Sequence, residues 1–169
     1  MRNQTRIKIK EITYYPKNKK YFEKLLSFSK VLFALSDNLN VKPVVYGSLA
    51  YAFYVHNKKI DIHDIDLLVP ENSFSKIIKE IKKRKELSYE LTNYNSLKVY
   101  CDSAKITFDS IEHYYSDLPN EFIEIKINEY PFKIVTIDSL KEIYKRGIST
   151  NIIKREEYQK KLDGLAQIK

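Results

Sequence analysis

The chain has 169 residues, 43% of them hydrophobic, so it can bury a real core while staying within the size of one domain with at most a small helical appendage. A single cysteine, Cys101, excludes an internal disulfide framework; Met1-Arg2-Asn3-Gln4 lacks the apolar stretch of a signal peptide, and no apolar run reaches membrane-spanning length, so a cytoplasmic protein without a membrane partner is expected. Lys and Arg outnumber Asp and Glu by 30 to 22, and the resulting +8 favours phosphate-bearing partners such as nucleotides or RNA, although a Lys-, Ile-, Asn- and Tyr-rich composition can also reflect an AT-rich genome.

In chain order, Ile7, Ile9 and Ile12 in a polar background read as a short strand or extended arm, followed by a turn at Pro16 and Asn18. From residue 19 to about 39, Phe22, Leu25, Leu26, Leu32, Phe33 and Leu35 recur at helical spacing and predict one long core helix. Residues 41–46 are too few and too β-branched for a helix and predict a strand that runs into a turn at Gly47. Ser48 can cap a helix through Ala50, Ala52 and Val55, fading at the turn-like His56-Asn57-Lys58-Lys59. A second strand over 62–69 places Asp64 and Asp66 on one face and Ile65, Leu67 and Val69 on the other, and Pro70 stops it.

Ser73 followed by Phe74, Ile77, Ile78 and Ile81 predicts an amphipathic helix with a Lys-rich outer face. Residues 87–91 read as a strand, and 97–100 with 105–111 as a hairpin turning at Asp102-Ser103, which puts Asp109 on the returning strand. A further hairpin is expected over 122–127 and 132–135. Ser139 with Glu142 has the spacing of a capping box for a helix that ends at Gly147, and a last helix from about Lys154 carries Tyr158, Leu162 and Leu165 on one face. The whole, residues 1–169, reads as one α/β (α+β) domain: a small mixed sheet with flanking helices over about 19–135, then C-terminal helices over about 138–169.

Two carboxylates at i and i+2 on a strand present adjacent hard oxygens of the kind that hold Mg²⁺ or Mn²⁺, and a strand-to-helix turn of Gly47 and Ser48 offers N–H donors, a hydroxyl and the positive end of a helix to phosphates. Asp109, flanked by apolar residues, is suited to complete a metal shell or to accept a proton; Asp102 sits in a turn and is the weaker candidate. His56, His63 and His113 lack metal-ligand spacing, and His63 should point away from the Asp face. Lys145, Arg146, Arg155 and Lys160 can reach a triphosphate or acceptor, or simply form solvated helix faces.

The segments Val44-Val45-Tyr46-Gly47-Ser48 and Asp64-Ile65-Asp66-Leu67-Leu68-Val69-Pro70 resemble the signature of the nucleotidyltransferase superfamily, the fold shared with DNA polymerase β. The fifteen residues between Ser48 and Asp64 resemble the longer insert of small aminoglycoside and lincosamide nucleotidyltransferases and of AbiEii-type toxin nucleotidyltransferases. Ser48 stands where the antibiotic-modifying type usually has a second Gly, and His63 where it usually has Arg. The resemblance implies phosphate contacts at Gly47 and Ser48, metal ligation at Asp64 and Asp66, a metal or base role at Asp109, and Mg²⁺-dependent transfer of a nucleoside monophosphate from an NTP such as ATP to a hydroxyl with release of pyrophosphate. The basic charge favours RNA, such as tRNA, or a protein as acceptor over a cationic aminoglycoside. Two other readings are a non-catalytic or antitoxin-like module of the same fold that binds a protein or RNA, and a plain RNA-binding domain using Lys76, Lys79, Lys82, Lys83 and Arg84.

Overall fold

The alternation of apolar periods in the sequence resolves into eight strands and six α-helices in the computed structural model, which describes residues 10–56, 59–115 and 121–168. Their order is β1 (Lys10–Ile12), α1 (Lys19–Asn38), β2 (Val44–Tyr46), α2 (Gly47–Val55), β3 (Ile65–Val69), α3 (Phe74–Ile81), β4 (Leu87–Leu91), β5 (Ser96–Cys101), β6 (Ala104–Ser110), α4 (Ile111–Tyr115), β7 (Phe122–Ile127), β8 (Tyr130–Val135), α5 (Ile137–Thr150) and α6 (Arg155–Ala166). Residues 7 and 9 of the expected N-terminal strand lie outside the described residues.

One mixed sheet in the order β1-β7-β8-β2-β3-β6-β5-β4 holds all eight strands. Three hairpins give antiparallel pairs at its flanks, whereas β3 lies parallel to β6, β2 parallel to β8 and β2 antiparallel to β3. The residues between β3 and β6 make the return that a parallel pair requires, and they contain α3 and the β4–β5 hairpin. β3 and β6 thus lie side by side at the centre, buried on the face that carries Ile65, Leu67, Ile106 and Phe108.

Helix α1 buries Phe22, Leu25, Leu26, Ser29, Leu32 and Leu35, a stripe at three- and four-residue spacing, and packs against β6. Each fully buried Leu, Ile or Phe contributes about 1.5–3 kcal/mol, so this stripe and the inner face of the sheet account for much of the driving force. Helix α2 packs on β2 and β3, and α5 and α6 pack on α2. The C-terminal helices therefore close over the start of α2.

Four local expectations change. The strand carrying the two Asp residues begins at Ile65, because the Ile62 carbonyl accepts from the Asn18 amide at 2.7 Å and the His63 carbonyl from the Tyr21 hydroxyl at 2.9 Å, so side chains replace ladder partners there. Helix α5 is capped by Thr136, whose Oγ1 accepts the Ser139 N–H at 3.3 Å, while Ser139 is buried and Glu142 pairs with Arg146 at 3.4 Å. Gly147 does not end that helix: a Cβ there would stand 2.6 Å from the Tyr158 ring, so the glycine serves close approach of α6. Finally, residue 111 opens the short helix α4 instead of closing β6.

Candidate active site

Strand β2 ends at Tyr46 and α2 begins at the next residue, which leaves no loop to absorb the change of direction. Gly47 makes the turn with φ +69°, a left-handed conformation that costs an L side chain about 1–2 kcal/mol. Space imposes the same choice. Asp66 is paired in register with Tyr46, and its carboxylate fills the room beside the turn: a Cβ on Gly47 would lie 3.1 Å from Asp66 Cγ. A carboxylate is thereby seated against the N-terminus of α2.

The register of β3 and β6 assembles the rest. Asp66 lies opposite Thr107 and Leu68 opposite Asp109, so Asp66 and Asp109 occupy the same face of neighbouring strands. Asp64 directly precedes β3 and belongs to that face by period. Its Oδ2 is 2.7 Å from Lys105 Nζ, with both side chains partly shielded from water. Asp109 is buried at 5% exposure, one carboxylate oxygen accepting from the Tyr46 hydroxyl and the other from the Ser96 hydroxyl. Ser96 stands opposite Asp109 in the β5–β6 register, so the contact follows from the hairpin.

Three acids on one face repel. Burial, then the charges of Asp64 and Asp109, push the Asp66 carboxyl up to about 8, with Lys105 and Lys154 pulling the other way. Burial also raises Asp109, against the two hydroxyl hydrogen bonds that lower it. Such a cluster is an attractive seat for added positive charge. Among the described residues no three His, Cys, Asp or Glu side chains already form a metal-holding group.

The opposite wall comes from the C-terminal helices. The Tyr144 hydroxyl donates to the Gly47 carbonyl at 3.0 Å. Lys161 Nζ donates to Ser48 Oγ at 3.1 Å and to Glu157 at 2.6 Å, and stands 5.6 Å above the Tyr144 ring. The pKa of Tyr158 is raised by burial and by the charges of Glu157, Asp66 and Asp109, which places its ring within their field.

The structure thus brings Gly47, Ser48, Asp64, Asp66 and Asp109 to one locality and leaves Asp102 in the β5–β6 turn with φ +50°. The basic residues singled out from the sequence point elsewhere: Lys145 and Arg146 meet Glu142, Arg155 donates to the Ile148 carbonyl, and Lys160 is exposed. Lys161 takes the place expected of Lys160. Lys105, Tyr46 and Ser96 also escaped sequence reading, although Lys105 shares the period of Asp109, four residues on along β6. His56 and His63 are exposed, and Lys76, Lys79, Lys82 and Lys83 form the solvated face of α3 and the turn after it.

No protein-family model and no curated protein matches the sequence. Solved structures match by shape. ANT(2″)-Ia in complex with adenylyl-2″-tobramycin superposes with a TM-score of 0.59 at 11% identity over 85% of this chain and 88% of its own. The lincomycin-bound lincosamide antibiotic adenylyltransferase LnuA gives 0.55 at 12% identity over 87% and 98%. An antigenic nucleotidyltransferase-like protein from Paracoccidioides brasiliensis gives 0.57 at 11% identity over 85% and 75%. The chain therefore has a nucleotidyltransferase fold.

Proposed function

We propose that this nucleotidyltransferase-fold protein moves a nucleoside monophosphate from a nucleoside triphosphate to a hydroxyl acceptor, with release of pyrophosphate. The observation that carries the reading is the seat of the Asp66 carboxylate against the Gly47 turn, with Asp64 and Asp109 on the same sheet face. Hard carboxylate oxygens that repel one another fit Mg²⁺ or Mn²⁺, and Asp64 and Asp66 are the residues that would hold it. A bound divalent ion supplies charge stabilisation for the phosphoryl oxygens. Gly47, Ser48 and Lys161 meet the triphosphate at the N-terminus of α2. The acceptor oxygen bonds to the α-phosphorus as the bond to the pyrophosphate oxygen breaks. Asp109 completes the carboxylate set, either as a third ligand or as the group that takes the acceptor's proton.

Calorimetric titration of NTP with and without Mg²⁺ tests this. The metal should tighten binding to the wild type, and Asp64→Ala with Asp66→Ala should abolish the metal-dependent part and lower turnover by about a thousandfold or more, the several kcal/mol of a lost ion contact. Equal NTP affinity in the wild type and the double variant, both with metal, overturns the reading. Labelled NTP screened over RNA, protein and small-molecule hydroxyls identifies the acceptor. An RNA acceptor held by the Lys and Arg excess should lose affinity with salt at a log-log slope of roughly −0.7 per neutralised phosphate.

One observation favours a second reading. Asp64 is paired with Lys105 and Asp109 is satisfied by two hydroxyls, so two of the three acids are content without a ligand. That arrangement also suits a non-catalytic, antitoxin-like module that uses the fold to bind a protein or RNA. Such a module shows no metal-dependent NTP binding in the same titration.

A further inference from the structure

We infer that the Lys105 ammonium provides the second positive charge of this site, so that the nucleotide-loaded protein takes one divalent ion and not two. The inference rests on the nucleotidyl-transfer reading and refines which residues hold the ion.

Lys105 sits on β6 at the position facing Asp64, because the parallel register pairs Ile65 with Ile106 and each chain steps back by one residue. Its Nζ is 2.7 Å from Asp64 Oδ2, with side-chain exposures of 33% and 24%. A charge-assisted contact of that length in a partly shielded position is screened less than a surface pair, and it neutralises the first acid of the Asp-x-Asp pair. The second acid, Asp66, is different. It has no cation in contact range and is crowded by both neighbouring carboxylates.

Asp109 supports the same division. A two-ion site needs bridging carboxylates, since the pair of ions sits roughly 3.5–4 Å apart and each must share oxygens with the other. Both Asp109 oxygens accept hydroxyl hydrogen bonds, from Tyr46 on β2 and Ser96 on β5, and both donors are fixed by the register of their strands. To bridge through Asp64 and Asp109, a second ion would have to expel an ammonium and break one of these hydroxyl contacts. Lys105 already meets the electrostatic need of Asp64 through a covalently tethered group. Asp109 is then left out of the metal shell and is the group suited to receive the acceptor's proton.

The test counts ions. The full chain is saturated with a non-hydrolysable ATP analogue and titrated with Mn²⁺, the bound fraction being read from the loss of the free-ion electron paramagnetic resonance signal. The wild type should bind one Mn²⁺ per chain with a Hill coefficient of one. Lys105→Met should bind two, and Lys105→Arg, which keeps the charge, should stay at one. Two ions in the wild type overturn the inference and leave the nucleotidyl-transfer reading intact. One ion in Lys105→Met overturns the assignment to Lys105. If that variant does not fold, Lys105→Gln provides the same neutral comparison, and the wild-type count stands on its own. No analogue binding by the wild type at any Mn²⁺ concentration overturns this inference together with the function it rests on.

Discussion

The two walls of the Gly47 turn are built by different means. On the sheet wall, Asp64, Asp66 and Asp109 are set by strand period and register, close in sequence or on hydrogen-bonded neighbours, and the result is a crowded anionic surface. On the helical wall, Tyr144, Tyr158 and Lys161 arrive from α5 and α6 about a hundred residues later, held by ring packing and by close approaches at Gly147 and Gly164. The sheet wall stores electrostatic tension that only added positive charge relieves; the helical wall is satisfied internally. Chemistry therefore belongs to the sheet and grip on phosphates to the helices, and each should be separable from the other by substitution.

Gly47→Ala attacks the point where both walls meet and should have the largest effect. The methyl must adopt φ +69° and also displace the Asp66 carboxylate, whose Cγ would be 3.1 Å away. Left-handed strain and the steric clash together should cost about 2–4 kcal/mol and lower the melting temperature by roughly 5–15 °C. Thermal unfolding measures it. Retained stability with lost nucleotide binding would show instead that the turn relaxes and only the site is damaged.

Asp66→Asn separates the walls by stability and pH. The folded chain holds the Asp66 proton more tightly than the unfolded chain, with a pKa of about 8 against the ordinary 3.8. Stability from this group is thus fully present below pH 3.8 and is lost as pH rises through about 8. Asparagine does not ionise, so in chelator the variant should melt a few degrees above the wild type at pH 8, and the advantage should vanish near pH 4, while turnover is lost. The expected gain is roughly 1–3 kcal/mol, less than the loss at Gly47. A variant that melts lower at pH 8 would mean that the carboxylate is held by contacts that offset its crowding.

How far the sequence could be read follows the same division. Phe22, Leu25, Leu26 and Leu32 announce α1 because helical periodicity is local, and Gly47, Ser48, Asp64 and Asp66 announce the sheet wall because strand period two puts both acids on one side. Lys105 was legible in principle by the same period from Asp109, yet its contact with Asp64 depends on which strands lie side by side, and that is decided by the whole sheet order. Gly147 was misread for a related reason. A glycine late in a helical pattern ordinarily marks a terminus, but here the constraint is the Tyr158 ring of another helix, which no local pattern records. The cap at Thr136 was hidden behind Ser139, an equally good cap residue three positions on.

The helical wall itself is tested most finely by two adjacent lysines. Lys160 and Lys161 share a helix and a charge, but Lys160 is exposed while Lys161 donates to Ser48 Oγ at 3.1 Å and stands over Tyr144. Composition alone treats them as equal contributors to +8, and long-range steering of an anionic ligand would do the same. A direct phosphate contact would not. Lys161→Met removes one charge-assisted donor from the triphosphate side, worth about 1–2 kcal/mol, so NTP should bind roughly 5–30-fold more weakly with the melting temperature nearly unchanged. Lys160→Met should stay within about twofold of the wild type at physiological salt, where a charge beyond a Debye length is largely screened. Equal weakening by both substitutions would show that the helices act through net charge alone, and the division of labour between the two walls would then rest on the carboxylates only.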